Sequence, residues 1–198
     1  MDRLAVDGAR ASRRCLPLPR FAGPIALRRL APKDLGAFQA YRRDPELGRY
    51  QGWSPLTDAE AQTFLAQMHI AGPLQPGVWF QLGIADAQSM QLIGDIGLLL
   101  SADGSSAEIG YTLARTAQGR GLASLAVREA VALVFECSGA SQVLATTDAR
   151  NHPSIRLLER IGMHRVEDRD ARFRGEPCVE ITYAIARPLG ERMTAWLR

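Results

Sequence analysis

Between a strand-like run that ends near Leu113 and a long apolar-periodic run from Leu122 to Cys137 stands the stretch Arg115-Thr116-Ala117-Gln118-Gly119-Arg120-Gly121-Leu122-Ala123. A glycine-rich turn that opens a helix leaves several backbone N–H groups without partners, at the positive end of the helix dipole. Such a turn binds anions, and phosphates in particular. Gly119 and Gly121 lack a Cβ, so a pyrophosphate can approach the backbone, and Arg120 can add a charge-assisted contact. An ordinary strand-to-helix turn remains the plain alternative, because short glycine motifs are common.

Residue order excludes two phosphate loops. A Walker loop carries Lys-Ser/Thr after its last glycine, where this chain has Leu122-Ala123. A dinucleotide fingerprint needs three spaced glycines closing the first strand of a βαβ unit. What remains is Gln-x-x-Gly-x-Ala at Gln118, Gly121 and Ala123.

That motif resembles the acyl-CoA pyrophosphate loop of the GNAT superfamily of N-acetyltransferases, Arg/Gln-x-x-Gly-x-Gly/Ala. The flanks agree with it. The segment Asn151-His152-Pro153-Ser154 to Ile161-Gly162-Met163 is similar to the second GNAT signature, in which Asn starts a short helix that ends in Gly and a large apolar residue. Ala107-Glu108-Ile109-Gly110-Tyr111-Thr112-Leu113 is similar to the strand before the loop. The Asn-x-x-Ser form, with Arg43-Asp44-Pro45-Glu46-Leu47-Gly48-Arg49-Tyr50, looks like the branch of the ribosomal-protein N-terminal (RimJ/RimL-like) acetyltransferases. The resemblance covers roughly Ile25 to Arg187.

Composition bounds what else the chain can be. Its 198 residues, 46% hydrophobic, suit one globular domain with a real core. A net charge of +3, with Lys33 the only lysine, suits an anionic cofactor but is too small to argue for nucleic acid. No apolar run reaches the length of a membrane span. Cys15, Cys137 and Cys178 are odd in number and lack metal-ligand spacing, which points to reduced thiols in the cytoplasm and to no bound metal. Cys137 falls on the apolar phase of its helix. His69, His152 and His164 are not spaced as metal ligands either. Residues 1–24, rich in Arg, Ala and Pro, read as a flexible arm, residues 25–187 as the catalytic domain, and residues 188–198 as a tail.

The hydrophobic pattern gives an order of βααβββαβαββ: a single-domain α/β fold with a mixed, mostly antiparallel sheet and helices on both faces. Ile25–Leu30 reads as a strand, and Pro32 and Asp34 open a helix through Tyr41 that Asp44-Pro45 breaks. Thr57-Asp58-Ala59-Glu60 is a capping box before a second helix. Strands follow at Val78–Ala85, Gln91–Leu100 and Ser105–Leu113, with a hairpin signal at Ala102-Asp103-Gly104. Leu122–Cys137 forms one apolar helical face, with Gly139 expected as a left-handed cap. Strand Gln142–Thr147, the Asn151 helix, and the pair Met163–Arg169 and Pro177–Ile185 complete the chain.

Acetyl transfer from CoA to an amine needs the cofactor held, the amine deprotonated, the oxyanion stabilised and the thiolate released. Gln118–Ala123 serves the first. For the oxyanion, the resemblance implies a backbone N–H near Leu113, provided the strand splays there. Glu108 is the candidate base, with a solvated strand residue as the alternative. In many GNAT members a Tyr in the Asn-initiated helix serves the thiolate; here Leu158 takes that position, and Ser154 stands where the Ser-bearing branch uses it. Asn151 is expected to bind the cofactor through a pantetheine amide; Ser154 and Asn151 have equally good plain roles as helix-start residues, and for Asn151 the two roles are compatible. Glu159 reads as a surface partner of Arg156. Trp53 and Tyr111 are expected to line the acceptor pocket.

The implied function is direct transfer of an acetyl group from acetyl-CoA to a primary amine by a monomer or homodimer. The acceptor is a protein N-terminus of the ribosomal-protein-alanine type, or a small molecule such as a polyamine, amino acid or antibiotic. A catalytically weak CoA-binding module is the reading from another class.

Overall fold

The computed structural model describes residues 18–188. The arm expected over residues 1–24 thus lies outside the described residues up to residue 17, as does the tail from residue 189 onward.

Within the stretch read as an arm, Arg20–Ala22 forms a short strand, β1, that pairs antiparallel with β2 (Ile25–Arg29) across Gly23. A 3₁₀ turn, Pro32–Asp34, leads into helix α1 (Leu35–Arg42). Asp34 is buried and takes two hydrogen bonds of 2.8 Å from the Arg28 guanidinium, so the start of this layer is tied to β2 by a bidentate ion pair. The chain does break at Asp44-Pro45, but a one-turn helix, α2 (Pro45–Gly48), begins at once. Asp44 Oδ1 accepts from Glu46 N at 3.0 Å and from Leu47 N at 3.4 Å, and Pro45 occupies the first turn, where its missing N–H costs nothing. Helix α3 (Asp58–Ile70) starts at the expected capping box: Thr57 N donates to Glu60 and Glu60 N donates to Thr57 Oγ1.

Strands β3 (Trp79–Asp86), β4 (Leu92–Leu100) and β5 (Ser106–Leu113) form an antiparallel meander, and helix α4 (Leu122–Cys137) crosses over to β6 (Gln142–Asp148), which runs parallel to β5. Helix α5 (His152–Arg160) then leads to the hairpin β7 (His164–Phe173) and β8 (Glu176–Ala186). The eight strands lie in the order β1-β2-β3-β4-β5-β6-β8-β7, and only β5 and β6 are parallel. Glu159, expected to pair with Arg156, instead accepts from Tyr183 Oη of β8 at 3.2 Å.

The sheet separates two cores. On one face α4 buries Val127, Ala130, Val131, Leu133 and Val134 against β2, β4 and β5. Each large side chain there contributes roughly 1.5–3 kcal/mol. On the other face α1 and α3 pack Phe38, Tyr41, Ala61 and Leu65 against Leu30 and Leu92.

Two ends differ from the sequence expectation. Helix α4 does not close on a left-handed Gly139, which is absent from the positive-φ glycines. Ser138 is extended there, its hydroxyl donates to Val134 O at 2.7 Å, and the Arg187 guanidinium donates to the carbonyls of Phe135, Ser138 and Ala140. Those contacts satisfy the terminal carbonyls that a glycine cap would otherwise serve. The last hairpin is longer than expected because its loop is only Arg174-Gly175, with φ of 51° and 84°, the left-handed pair that matches strand twist.

Candidate active site

The strands β5 and β6 pair over three positions only, from Ser106 opposite Gln142 to Glu108 opposite Leu144. Beyond that point β5 runs on to Leu113 and β6 to Asp148 without pairing, and the sheet opens as a wedge. The β4–β5 ladder sets which backbone groups face it. Ala114 N donates to Ile93 O, so by alternation Tyr111 and Leu113 turn their N–H and C=O away from β4 and into the wedge. Side chains replace the absent strand for the two carbonyls: Gln51 Nε2 donates to Tyr111 O at 3.1 Å and Gln118 Nε2 to Leu113 O at 2.9 Å. The N–H groups of Tyr111 and Leu113 have no such partner and point at whatever fills the wedge.

A cleft of about 630 Å³ occupies this opening. At one end lies the loop before α4. Gly119 and Gly121 have φ of 74° and 75°, and a Cβ at either would meet nothing within 4 Å. None of the backbone hydrogen bonds among the described residues uses the N–H of Gly119, Arg120, Gly121, Leu122 or Ala123. Left-handed glycines with unpartnered N–H groups at a helix start form an anion-binding concavity, so these residues fit the pyrophosphate of acetyl-CoA. Gln118, Gly119, Gly121, Leu122 and Ala123 line the cleft, whereas Arg120 is exposed outside its lining. The Gln118 side chain, besides lining the cleft, holds the β5 carbonyl of Leu113.

Along the wall, Asn151 caps α5 by accepting from Ser154 N at 3.4 Å, and both residues line the cleft. Tyr111 Oη and Ser154 Oγ are 2.8 Å apart. Leu158 is fully buried in the core, which fits its apolar side chain and places no hydroxyl there. Burial pushes the Tyr111 phenol up to about 12, partly offset by its bond to Ser154.

Glu108 stands at the fork, the last paired position of β5. Strand alternation points it to the face that carries α1–α3, opposite α4 and α5, and it is not on the cleft lining. Its half-buried carboxyl is raised above the ordinary carboxylate range, first by burial and then by the negative charge of Glu180.

At the residues expected to line an acceptor pocket the structure departs from expectation. Trp53 does not line the cleft. Its ring stacks on the Arg42 guanidinium, 4.6 Å from ring centroid to Cζ, while Arg42 donates to buried Asp95 at 2.8 Å. The cation draws the indole into the helical layer. Tyr50 and Gln51 of the same connection line the cleft instead, joined by Glu46 of α2. Arg174, at the tip of the last hairpin, donates to the carbonyls of Gln51 and Trp53 and ties this connection down. Arg115, on the lining, pairs with Asp44, and that guanidinium holds the Asp44 carboxyl at about 2. Sequence reasoning also missed Arg156 and Arg160 on the cleft rim, whose four-residue spacing on α5 was the available signal. Glu46 carried no signal of its own.

The model of the GNAT acetyltransferase domain matches residues 25–164. The chain belongs to the GNAT acetyltransferase family. This GNAT domain is also similar to an uncharacterized N-acetyltransferase, p20, of Bacillus licheniformis, with 28% identity over 142 residues, 71% of this chain and 79% of the relative. Among solved structures it resembles the spermidine N-acetyltransferase of Vibrio cholerae in complex with CoA and spermine, with a TM-score of 0.71 and 20% identity over 88% of this chain and 99% of that one. It also resembles a Vibrio cholerae protein proposed to be a ribosomal-protein-serine acetyltransferase, with a TM-score of 0.68 and 21% identity over 85% of this chain and 99% of that one. At such identities the structural likenesses establish the GNAT fold alone. The protein is thus an acetyl-CoA-dependent acetyltransferase of GNAT architecture. Among the described residues there is no group of three His, Cys, Asp or Glu able to hold a metal, and no helix is long and apolar enough to cross a membrane.

Proposed function

We propose that this GNAT domain transfers the acetyl group directly from acetyl-CoA to a primary amine, and that the amine is a peptide N-terminus of the ribosomal-protein-alanine type. The observation that carries the transfer is the wedge itself. It brings together a glycine turn with unpartnered N–H groups, the inward N–H groups of Tyr111 and Leu113, and at the fork a carboxylate with raised pKa, Glu108. Acetyl-CoA would lie with its pyrophosphate on Gly119–Ala123 and its thioester beside the β5 N–H groups, which are aimed where the oxyanion develops. Glu108 would take the amine proton through water. Ser154, on the opposite wall, would donate to the leaving sulfur.

Charge supports the choice of acceptor. Glu46 is the one carboxylate on the cleft lining, against Arg115, Arg156 and Arg160. That balance suits an acceptor with a single ammonium better than a polycation. An α-amino group, with a pKa near 7.7–8.0, also loses its proton far more readily than an alkylammonium near 10, and so asks less of Glu108. The Asn-x-x-Ser form at Asn151–Ser154 points the same way.

The test is thiol release from acetyl-CoA with a panel of amines. Peptides beginning with Ala or Ser should turn over faster than spermidine or free amino acids. A preference for spermidine would move the acceptor to the small-molecule class. Tight CoA binding without turnover of any amine would make the domain a CoA-binding regulatory module.

A further inference from the structure

Leu158 of α5 is buried and apolar, yet a tyrosine hydroxyl reaches the cleft from β5. We propose that Tyr111 of β5 is a positioning residue for departure of the thiolate: its hydroxyl donates to Ser154 Oγ and aims the Ser154 O–H at the thioester sulfur. The inference rests on the acetyl-transfer reading above and adds to it the group that makes Ser154 an effective donor.

Four observations carry it. Tyr111 and Ser154 both line the cleft, and their oxygens are 2.8 Å apart across the wedge, one on β5 and the other in the first turn of α5. The same cleft is lined by the glycine turn, through Gly119, Gly121 and Ala123, and by Glu46, Tyr50 and Gln51. A thioester held in that cleft meets the pair on its wall. Leu158, one turn further along α5, is fully buried and offers no proton. Tyr111 is itself half-buried, and its phenol, pushed up to about 12, keeps its proton throughout the working pH range.

The direction of the bond follows from acidity. A phenol is the stronger donor of the two, and the Ser hydroxyl has lone pairs to accept while retaining its own proton to give. Hydrogen bonds in a chain polarise one another, so a Ser154 that accepts from Tyr111 donates more strongly. When the tetrahedral adduct collapses, the C–S bond breaks and its electron pair stays on sulfur. The Ser154 O–H stabilises that thiolate by hydrogen bonding. Neither hydroxyl loses its proton, and the thiolate takes one from water after release.

The thiol of bound CoA reports this directly, without turnover. Its ionisation is followed by the ultraviolet absorbance of the thiolate as pH is raised, for CoA on the full-length protein and on the variants Tyr111→Phe and Ser154→Ala. In the wild type the bound thiol should ionise at lower pH than free CoA. Each variant should return it toward the free value by about one unit, tenfold in the thiolate equilibrium. The double variant should go no further than either single one, because the two groups act as one unit. In steady state Tyr111→Phe should lower kcat up to about tenfold and leave KM for acetyl-CoA unchanged. A bound thiol that titrates alike in wild type and Tyr111→Phe overturns the inference, as does a shift on Ser154→Ala alone. Failure of the wild type to bind CoA would sink the acetyltransferase reading itself, a separable result.

Discussion

At the scale of single residues, the candidate site was legible where chemistry resides in a side chain of fixed direction. Tyr111, Ser154 and Asn151 all line the cleft. Trp53 does not, because a large aromatic ring goes where a desolvated cation offers contact, and Arg42 is brought within reach by α1. Glu108 illustrates a residue whose setting matters more than its type. Burial and Glu180 raise its carboxyl, so ionised Glu108 opposes folding, whereas the protonated form does not. Stability is therefore fullest below the ordinary carboxylate pKa and declines as pH rises through the folded one. Glu108→Gln should leave the urea midpoint unchanged near pH 4 and raise it at pH 8. The same variant should lose about 100-fold in rate at neutral pH if Glu108 is the base, with the deficit shrinking as pH approaches the amine's own pKa. A rate loss independent of pH would assign Glu108 to binding.

At the scale of elements, the pattern of periods identified every long strand and helix, since each buries a face large enough to mark its sequence. Short elements escaped. β1 has three residues and is held by Arg20, whose guanidinium bonds Glu129 and Glu136 of α4, a contact 109 and 116 residues away in sequence. Helix α2 exists because Asp44 caps it and Arg115, distant in sequence, braces Asp44. The start of α4 was legible in full, because left-handed backbone selects glycine locally. Gly121→Val puts a β-branched residue at φ 75°, where the backbone alone costs about 1–2 kcal/mol, although a Cβ would meet nothing there in the protein. Calorimetry should show CoA binding lost while circular dichroism remains that of a folded chain. Normal CoA affinity would refute the assignment of the loop.

At the scale of the whole molecule, the α1–α3 layer is fastened to the sheet by two buried polar centres, the Arg28–Asp34 pair and a cluster around Asp95. Asp95 of β4 accepts from Tyr41 Oη, from Arg42 at 2.8 Å and from Gln81 at 2.8 Å, and Arg42 is in turn enclosed by Phe38 and Trp53. Asp95→Ala would leave the Arg42 charge buried without its partner, a loss of about 3–5 kcal/mol measurable by urea denaturation. A change below about 1 kcal/mol would show that water reaches Arg42 and compensates. The sequence by itself determined the donor side of the protein: the glycine loop, the helix it opens and the capped Asn151 helix are local features, written by backbone geometry and periodicity within a few residues. The wedge, the inward N–H groups of β5, the meeting of Tyr111 with Ser154 and the arrival of Glu46 and Gln51 at the cleft were decided only by tertiary structure. Strand splay is set by how two distant segments pack, and no local pattern records where two parallel strands stop pairing.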